Sequence, residues 1–183
     1  MPSEITIVLH LIGSVQNDKS MFLDKLINEF PFEDPISVGF ANVYRCVFKG
    51  KNDFIKLIIY DIHGDIDTVN LRQLLRMVSA IILFVDVTNK NSIDFILNQI
   101  PFFDQFFTSR RKRPSILVVS NKLDLNSSEK LELEKILVRL QNTFSLKDSV
   151  SFFELPGSNV KELILQIVKT IINEQRYISK IEL

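Results

Sequence analysis

The sequence predicts an α/β domain in which a mostly parallel sheet carries helices on both faces. Three observations lead there. Short apolar, β-branched runs alternate with longer amphipathic stretches along the chain. The runs are near-continuously hydrophobic, as strands covered on both faces must be. The polar residues capable of chemistry follow the ends of those runs, where open parallel sheets bind ligands.

Taken in order, EITIVLHLI reads as a buried strand and KSMFLDKLINEF as a helix with apolar positions three and four apart. PFEDPISVG is a loop punctuated by two prolines and a glycine. NVYRCVF and FIKLIIYDI, joined by KGKND, read as a hairpin. A helix around TVNLRQLLRMVS, the strand AIILFVDV and a helix from Ser92 follow, and Pro101 is expected to kink or split that helix. PSILVVSN is a strand and SSEKLELEKILVRLQNTF a helix with Glu-to-Lys pairs. VSFFEL is the last strand and NVKELILQIVKTIINEQ the last helix. There is no repeat, low-complexity segment or linker, so residues 1–183 read as one domain.

Composition narrows the function classes. With 46% hydrophobic residues, 183 residues suffice for a sizeable core. Lys plus Arg and Asp plus Glu both number 22, so no global field draws the chain to nucleic acid or lipid. A lone cysteine, Cys46, excludes an internal disulfide and suits a reducing compartment. MPSEIT lacks a basic-then-apolar signal, Pro2 stands where myristoylation needs glycine, and SKIEL offers no cysteine to prenylate. The expectation is a cytoplasmic protein with no lipid anchor of its own, recruited to membranes, if at all, by a partner.

Chemistry concentrates in three places. GSVQNDKS, Gly13 to Ser20, is one residue from the phosphate-cradling pattern GxxxxGKS, with Asp18 where the pattern has glycine. Gly13, Ser14, Asn17 and Asp18 form the loop, Lys19 can reach phosphates and the Ser20 hydroxyl can bind magnesium. Asp61-Ile62-His63-Gly64 is a DxxG pattern, whose acid can hold a metal-bound water and whose Gly64 amide can meet a phosphate. Asn121-Lys122-Leu123-Asp124 is NKxD at a strand end. There a carboxylate accepts from the ring N–H and exocyclic amine of guanine, a pair adenine does not present. The Lys122 stem covers the base and Asn121 braces the loop. Each pattern also has a plain structural reading: a helix start, a strand end, a polar turn.

The three motifs, in this order and at these strand ends, resemble the Ras-superfamily small GTPases, and most closely their Rab-like branch. FIKLIIYDIHG looks like the stretch leading into the family's DTAG motif, and ILFVDVTNKNSIDFI like its fourth strand and following helix. ISVG resembles the first switch, placing Ser37 where the family has a magnesium-binding threonine. FFELPGSNVKEL resembles the last base-contacting region, which carries over a contact from the Gly157 or Ser158 amide. The resemblance implies a small G domain with a six-stranded, mostly parallel sheet and five main helices. It also implies GTP or GDP with Mg2+, the metal held by Ser20 and Ser37. Effectors or regulators would meet residues 32–42 and 61–70.

The departures are chemical. Asp65 stands where the family has the glutamine that orients the attacking water, so hydrolysis is expected to be slow or absent. Val15 and Gln16 make the loop bulkier, and His63 is larger than the usual residue. A charge at Asp18 about 5 Å from a phosphate oxygen costs on the order of 3 kcal/mol at an effective dielectric of about 20, roughly a hundredfold in affinity. Asp18 also reads as the N-cap of the first helix, an internal anion competing for the phosphate-binding amides and paired with Lys19.

The reading is an atypical Rab-like small GTP-binding protein, a guanine-nucleotide-responsive switch in membrane trafficking or signalling. The alternative is a nucleotide-free pseudo-GTPase serving as a constitutive docking module. A small-molecule kinase is disfavoured by the lack of lid arginines. Elsewhere, Arg110 to Arg113 reads as a solvated loop, His10 as a satisfied core histidine and Cys46 as a packed small hydrophobe. Phe102, Phe103, Phe106 and Phe107 have the helical spacing of core residues.

Overall fold

The computed structural model describes residues 4–14, 16–50, 53–63, 68–107, 114–120, 125–144, 150–154 and 159–181. The elements run β1 (Glu4–Ile12), α1 (Gln16–Ile27), β2 (Ile36–Ser37), β3 (Ala41–Lys49), β4 (Phe54–Ile62) and α2 (Thr68–Leu75). Then follow β5 (Ala80–Val85), α3 (Lys90–Phe107), β6 (Ser115–Ser120), α4 (Ser127–Phe144), β7 (Val150–Glu154) and α5 (Val160–Ile181).

The strands form one sheet in the order β2-β3-β4-β1-β5-β6-β7. The six strands expected from the apolar runs are joined by the two-residue β2 at the edge. β3 and β4 pair antiparallel as the hairpin, and β2 pairs antiparallel with β3. From β4 through β1, β5 and β6 to β7 the strands run parallel to one another.

Side chains on β1 alternate between two cores, as a period of two requires. Ile7, Leu9 and Leu11 join Phe22, Leu23 and Leu26 of α1 and Leu163, Ile164 and Val168 of α5. Ile12 faces the other way, with Leu71 and Leu75 of α2, Ile96, Phe103 and Phe107 of α3 and Ile136 of α4. With helices packed on both faces, the carboxyl edge of the parallel strands is where a sheet of this kind places a ligand. α1 leaves β1 for one face and α2 follows β4 onto the other, so that edge opens between them.

α3 runs through Pro101 as one continuous helix, so the split, one of the two outcomes expected, does not occur. Pro101 lies on the exposed side while Ile100 and Phe103 on either side of it are fully buried. Packing on both flanks outweighs the lost hydrogen bond. Phe103 and Phe107 are core and Phe102 and Phe106 pack against it, as their spacing implies. Cys46 is buried, and that burial with nearby Glu33 pushes its thiol up to about 12, so it packs as a neutral hydrophobe.

His10 corrects a second expectation. It is completely buried, but neither ring nitrogen has a hydrogen-bond partner among the described residues. Its ring meets Tyr60 edge-on at 5.2 Å. Burial lowers its pKa from 6.5 to about 3, so it stays neutral. An unpaired buried polar group costs about 1–3 kcal/mol, and His10→Leu should raise stability by that order. In the unfolded chain His10 protonates near 6.5, whereas in the fold it does not until about 3. Stability therefore falls as pH drops through that window, by about 2 kcal/mol between pH 7 and 5. Urea unfolding at both pH values should show this contribution in the parent protein and not in His10→Leu.

Candidate functional site

β1 and β4 run side by side, with Leu11 in register with Asp61, so their carboxyl ends meet at one point. Lys19, in the second turn of α1, reaches that point. Its side chain is only 4% exposed, and its Nζ lies 3.0 Å from Asp61 Oδ1. The ammonium also donates a short hydrogen bond to the Ile62 carbonyl oxygen. Asp61 Oδ1 is buried and receives no directed hydrogen bond among the described residues, so the contact with Lys19 is an ion pair.

The start of α1 differs from the sequence expectation. The helix begins at Gln16 rather than at Lys19, so Asp18 is the third helical residue and not the N-cap. Three residues of helix displace the N-terminus by about 4.5 Å from where a loop ending at Lys19 would put it. The orphan amides that favour anions therefore belong to the turn starting at Gln16. Lys19 and Ser20 sit further into the helix. The side chains of Asn17 and Asp18, and with them the expected Asp18–Lys19 pairing, lie outside the described residues. The partners that Lys19 shows are Asp61 and Ile62.

Gly13 is buried at the end of β1, where a Cβ would fall 2.8 Å from the Phe84 carbonyl oxygen and 2.9 Å from Phe84 Cβ. Close approach of β1's end to β5 thus requires glycine without reference to any phosphate. Ser14 and Ser20 are exposed. Ser37 on β2 is in register with Asn42 on β3, which is in register with Asp61 on β4. The backbones of Ser37 and Asp61 are therefore two strand spacings apart, about 10 Å. Gly64, Asp65, Asn121, Lys122, Asp124, Gly157 and Ser158 lie outside the described residues.

The helices after those last two segments are fixed by their caps. Before α4, Glu129 N–H donates to Asn126 Oδ1 at 3.0 Å and Asn126 N–H donates to Glu129 Oε2 at 2.8 Å, a reciprocal capping box. Before α5, the amides of Lys161 and Glu162 donate to Asn159 Oδ1 at 3.1 and 3.3 Å. Each segment of interest thus runs from a parallel strand end to a capped helix.

Sequence reasoning missed two groups. The Ile62 carbonyl is a backbone acceptor, which no residue type announces. Tyr44 lies two residues from Asn42 on β3 and so shares Asp61's face. Its pKa is raised by burial first, and then by the carboxylates of Asp61 and Asp24. The hairpin register, had it been assigned, would have found it.

A model of the Ras family matches residues 8–173. The chain belongs to the Ras family. It is accordingly a small GTP-binding switch protein, and Ras-family domains typically bind GTP or GDP with Mg2+. A comparison with curated proteins found no match. Among the described residues of this Ras-family chain, no helix is long and apolar enough to cross a membrane. Lys19 and the under-used Asp61 oxygen suit an anion and a cation respectively. The helical backbone of 16–18 suits a phosphate less well than an open loop.

Removing one partner of a buried ion pair costs about 3–5 kcal/mol because the other charge is stranded. Asp61→Asn should lower the unfolding free energy of the nucleotide-free protein by about 3 kcal/mol, the lower end, since Lys19 keeps the Ile62 carbonyl. Gly13→Ala should cost about 1–3 kcal/mol by overpacking against Phe84, equally with and without nucleotide. Denaturant titrations check both. A Gly13→Ala penalty confined to the nucleotide-bound form would refute the packing role.

Proposed function

We propose that this chain is an atypical, Rab-like member of the family, a guanine-nucleotide-responsive protein-binding switch in membrane trafficking or signalling with slow or absent hydrolysis. The supporting observation is the meeting of Lys19 with Asp61 where β1 and β4 end. Lys19 holds phosphate in this reading, and Ser20 and Ser37 hold magnesium. Asp61 supports a metal-bound water. Asn121, Lys122 and Asp124 select guanine, and the amides of Gly64 and of Gly157 or Ser158 complete the contacts. The bound metal supplies positive charge against the phosphates.

The ion pair gives this site a defined coupling. If Lys19 turns to a phosphate, Asp61 is left as a buried carboxylate and needs another cation. Phosphate and divalent metal should therefore bind together, each strengthening the other. Asp65 carries charge and lacks an amide donor, which supports weak hydrolysis. Partners would dock on residues 32–42 and 61–70, where Ile36, Val38 and Val69 are exposed. A partner would also account for any membrane recruitment.

A second reading, the nucleotide-free docking module, is favoured by the start of α1 at Gln16 and by Lys19's internal partners. Titration with fluorescent GDP and GTP, with and without magnesium, separates the two. The switch reading expects micromolar or tighter binding, weakened by chelation, and adenine nucleotides at least about a hundredfold poorer. Asp18→Gly should tighten binding by up to about a hundredfold. Absence of binding at micromolar nucleotide in the parent protein would establish the second reading instead.

A further inference from the structure

We infer that the cleft between the β3–β4 hairpin and α5 binds a single-chain anionic amphiphile, a fatty-acid-like molecule with one carboxylate. It lies at the end of the sheet away from Lys19. Asp53 borders it, and from Phe54 at the start of β4 to Asp61 the strand rises about 23 Å. The cavity has a volume of about 380 Å³. That is near the lower end of the range for small-ligand sites, about 300–1,000 Å³, and suits one acyl chain better than two.

Its walls are apolar: Phe48 and Ile55 from the hairpin, Leu165, Val168 and Ile172 from α5. Its polar groups gather around them. Lys49 and Lys169 are both exposed, and neither is in an ion pair among the described residues. Asp53 also borders the cleft and has contacts of its own, and its backbone oxygen accepts from Gly50 N–H at 2.8 Å. Among the described lining residues, two lysines against one carboxylate leave the surround net cationic. Gly50 keeps the turn narrow: a Cβ there would sit 3.1 Å from the Asp53 carbonyl oxygen and 3.4 Å from Ile55 Cγ1. An apolar pocket bordered by a net positive charge is complementary to a hydrocarbon chain ending in an anion. The site is independent of the nucleotide reading, because it shares no residue with it.

The test uses the full chain and 11-dansylundecanoate, whose fluorescence reports entry into an apolar site. Competition follows with octanoate, decanoate and dodecanoate, all below their micellar concentrations. Saturable binding is expected, with affinity rising by up to about fourfold per added methylene until the pocket is filled. Dodecylammonium and dodecanol should compete at least tenfold more weakly than dodecanoate. Lys49→Glu with Lys169→Glu should lose at least tenfold; both positions are exposed, so circular dichroism should show the fold intact. Ile172→Trp, which fills the cavity from α5, should abolish binding without reversing any charge. The proposal is overturned if the parent protein shows no saturable binding, or if the charge reversal changes affinity by less than twofold. Binding confined to phosphatidylcholine vesicles carrying the fatty acid, with none to the monomer, overturns it equally.

Discussion

A lysine ammonium and a carboxylate, both largely withdrawn from water, meet where β4 ends and α1 departs from β1. Their attraction at 3.0 Å amounts to about 5 kcal/mol at an effective dielectric of about 20. Desolvation of two buried ions costs several kcal/mol each. The pair is thus close to balance, and its importance lies in position rather than strength. It ties the first helix to the fourth strand at the carboxyl edge of the parallel strands. Either charge alone would be strongly unfavourable there, so each makes the other's presence necessary.

That near-balance bears on function. A pair worth many kcal/mol would lock Lys19 away from any ligand, and a worthless one would leave it mobile. A phosphate can compete for this lysine, provided the stranded Asp61 is compensated. The backbone before Lys19 weighs the other way: α1 is already helical from Gln16, where an extended loop would present its amides around an anion. The anion-binding character of the helix end is kept and moved about one turn.

Most of the scaffold was legible because it depends on periodicity. Buried strands announce themselves as apolar runs, and the cap before α4 is written as Asn126 and Glu129 three residues apart. β2 was not legible as a strand, since two residues carry no pattern. The start of α1 was misplaced because Asp18 is a strong cap residue, and a strong local preference was read as a boundary. The Ile62 carbonyl and the orphaned nitrogens of His10 share a different cause. Both depend on which backbone or ring atoms lie opposite one another, and residue type alone does not encode that. The pairing of Lys19 with Asp61 was half visible. Each reads as a site residue within its own motif, but for a common ligand rather than for the other.

Gly13 shows how a motif residue can have two sufficient causes. Its position before Ser14 matches a phosphate-binding pattern, yet Phe84 leaves no room for a Cβ whatever binds nearby. Retention of that glycine is consequently no measure of retained nucleotide binding. Lys19 differs, because a buried cation is a burden the core would not keep without Asp61 or an equivalent anion. Asp61 in turn holds an oxygen that no hydrogen bond satisfies among the described residues. Packing explains the glycine completely and the ion pair only in part. The part left over is a lysine able to take a second anion and a carboxylate able to take a second cation, the two capacities on which the proposed nucleotide and metal binding would draw.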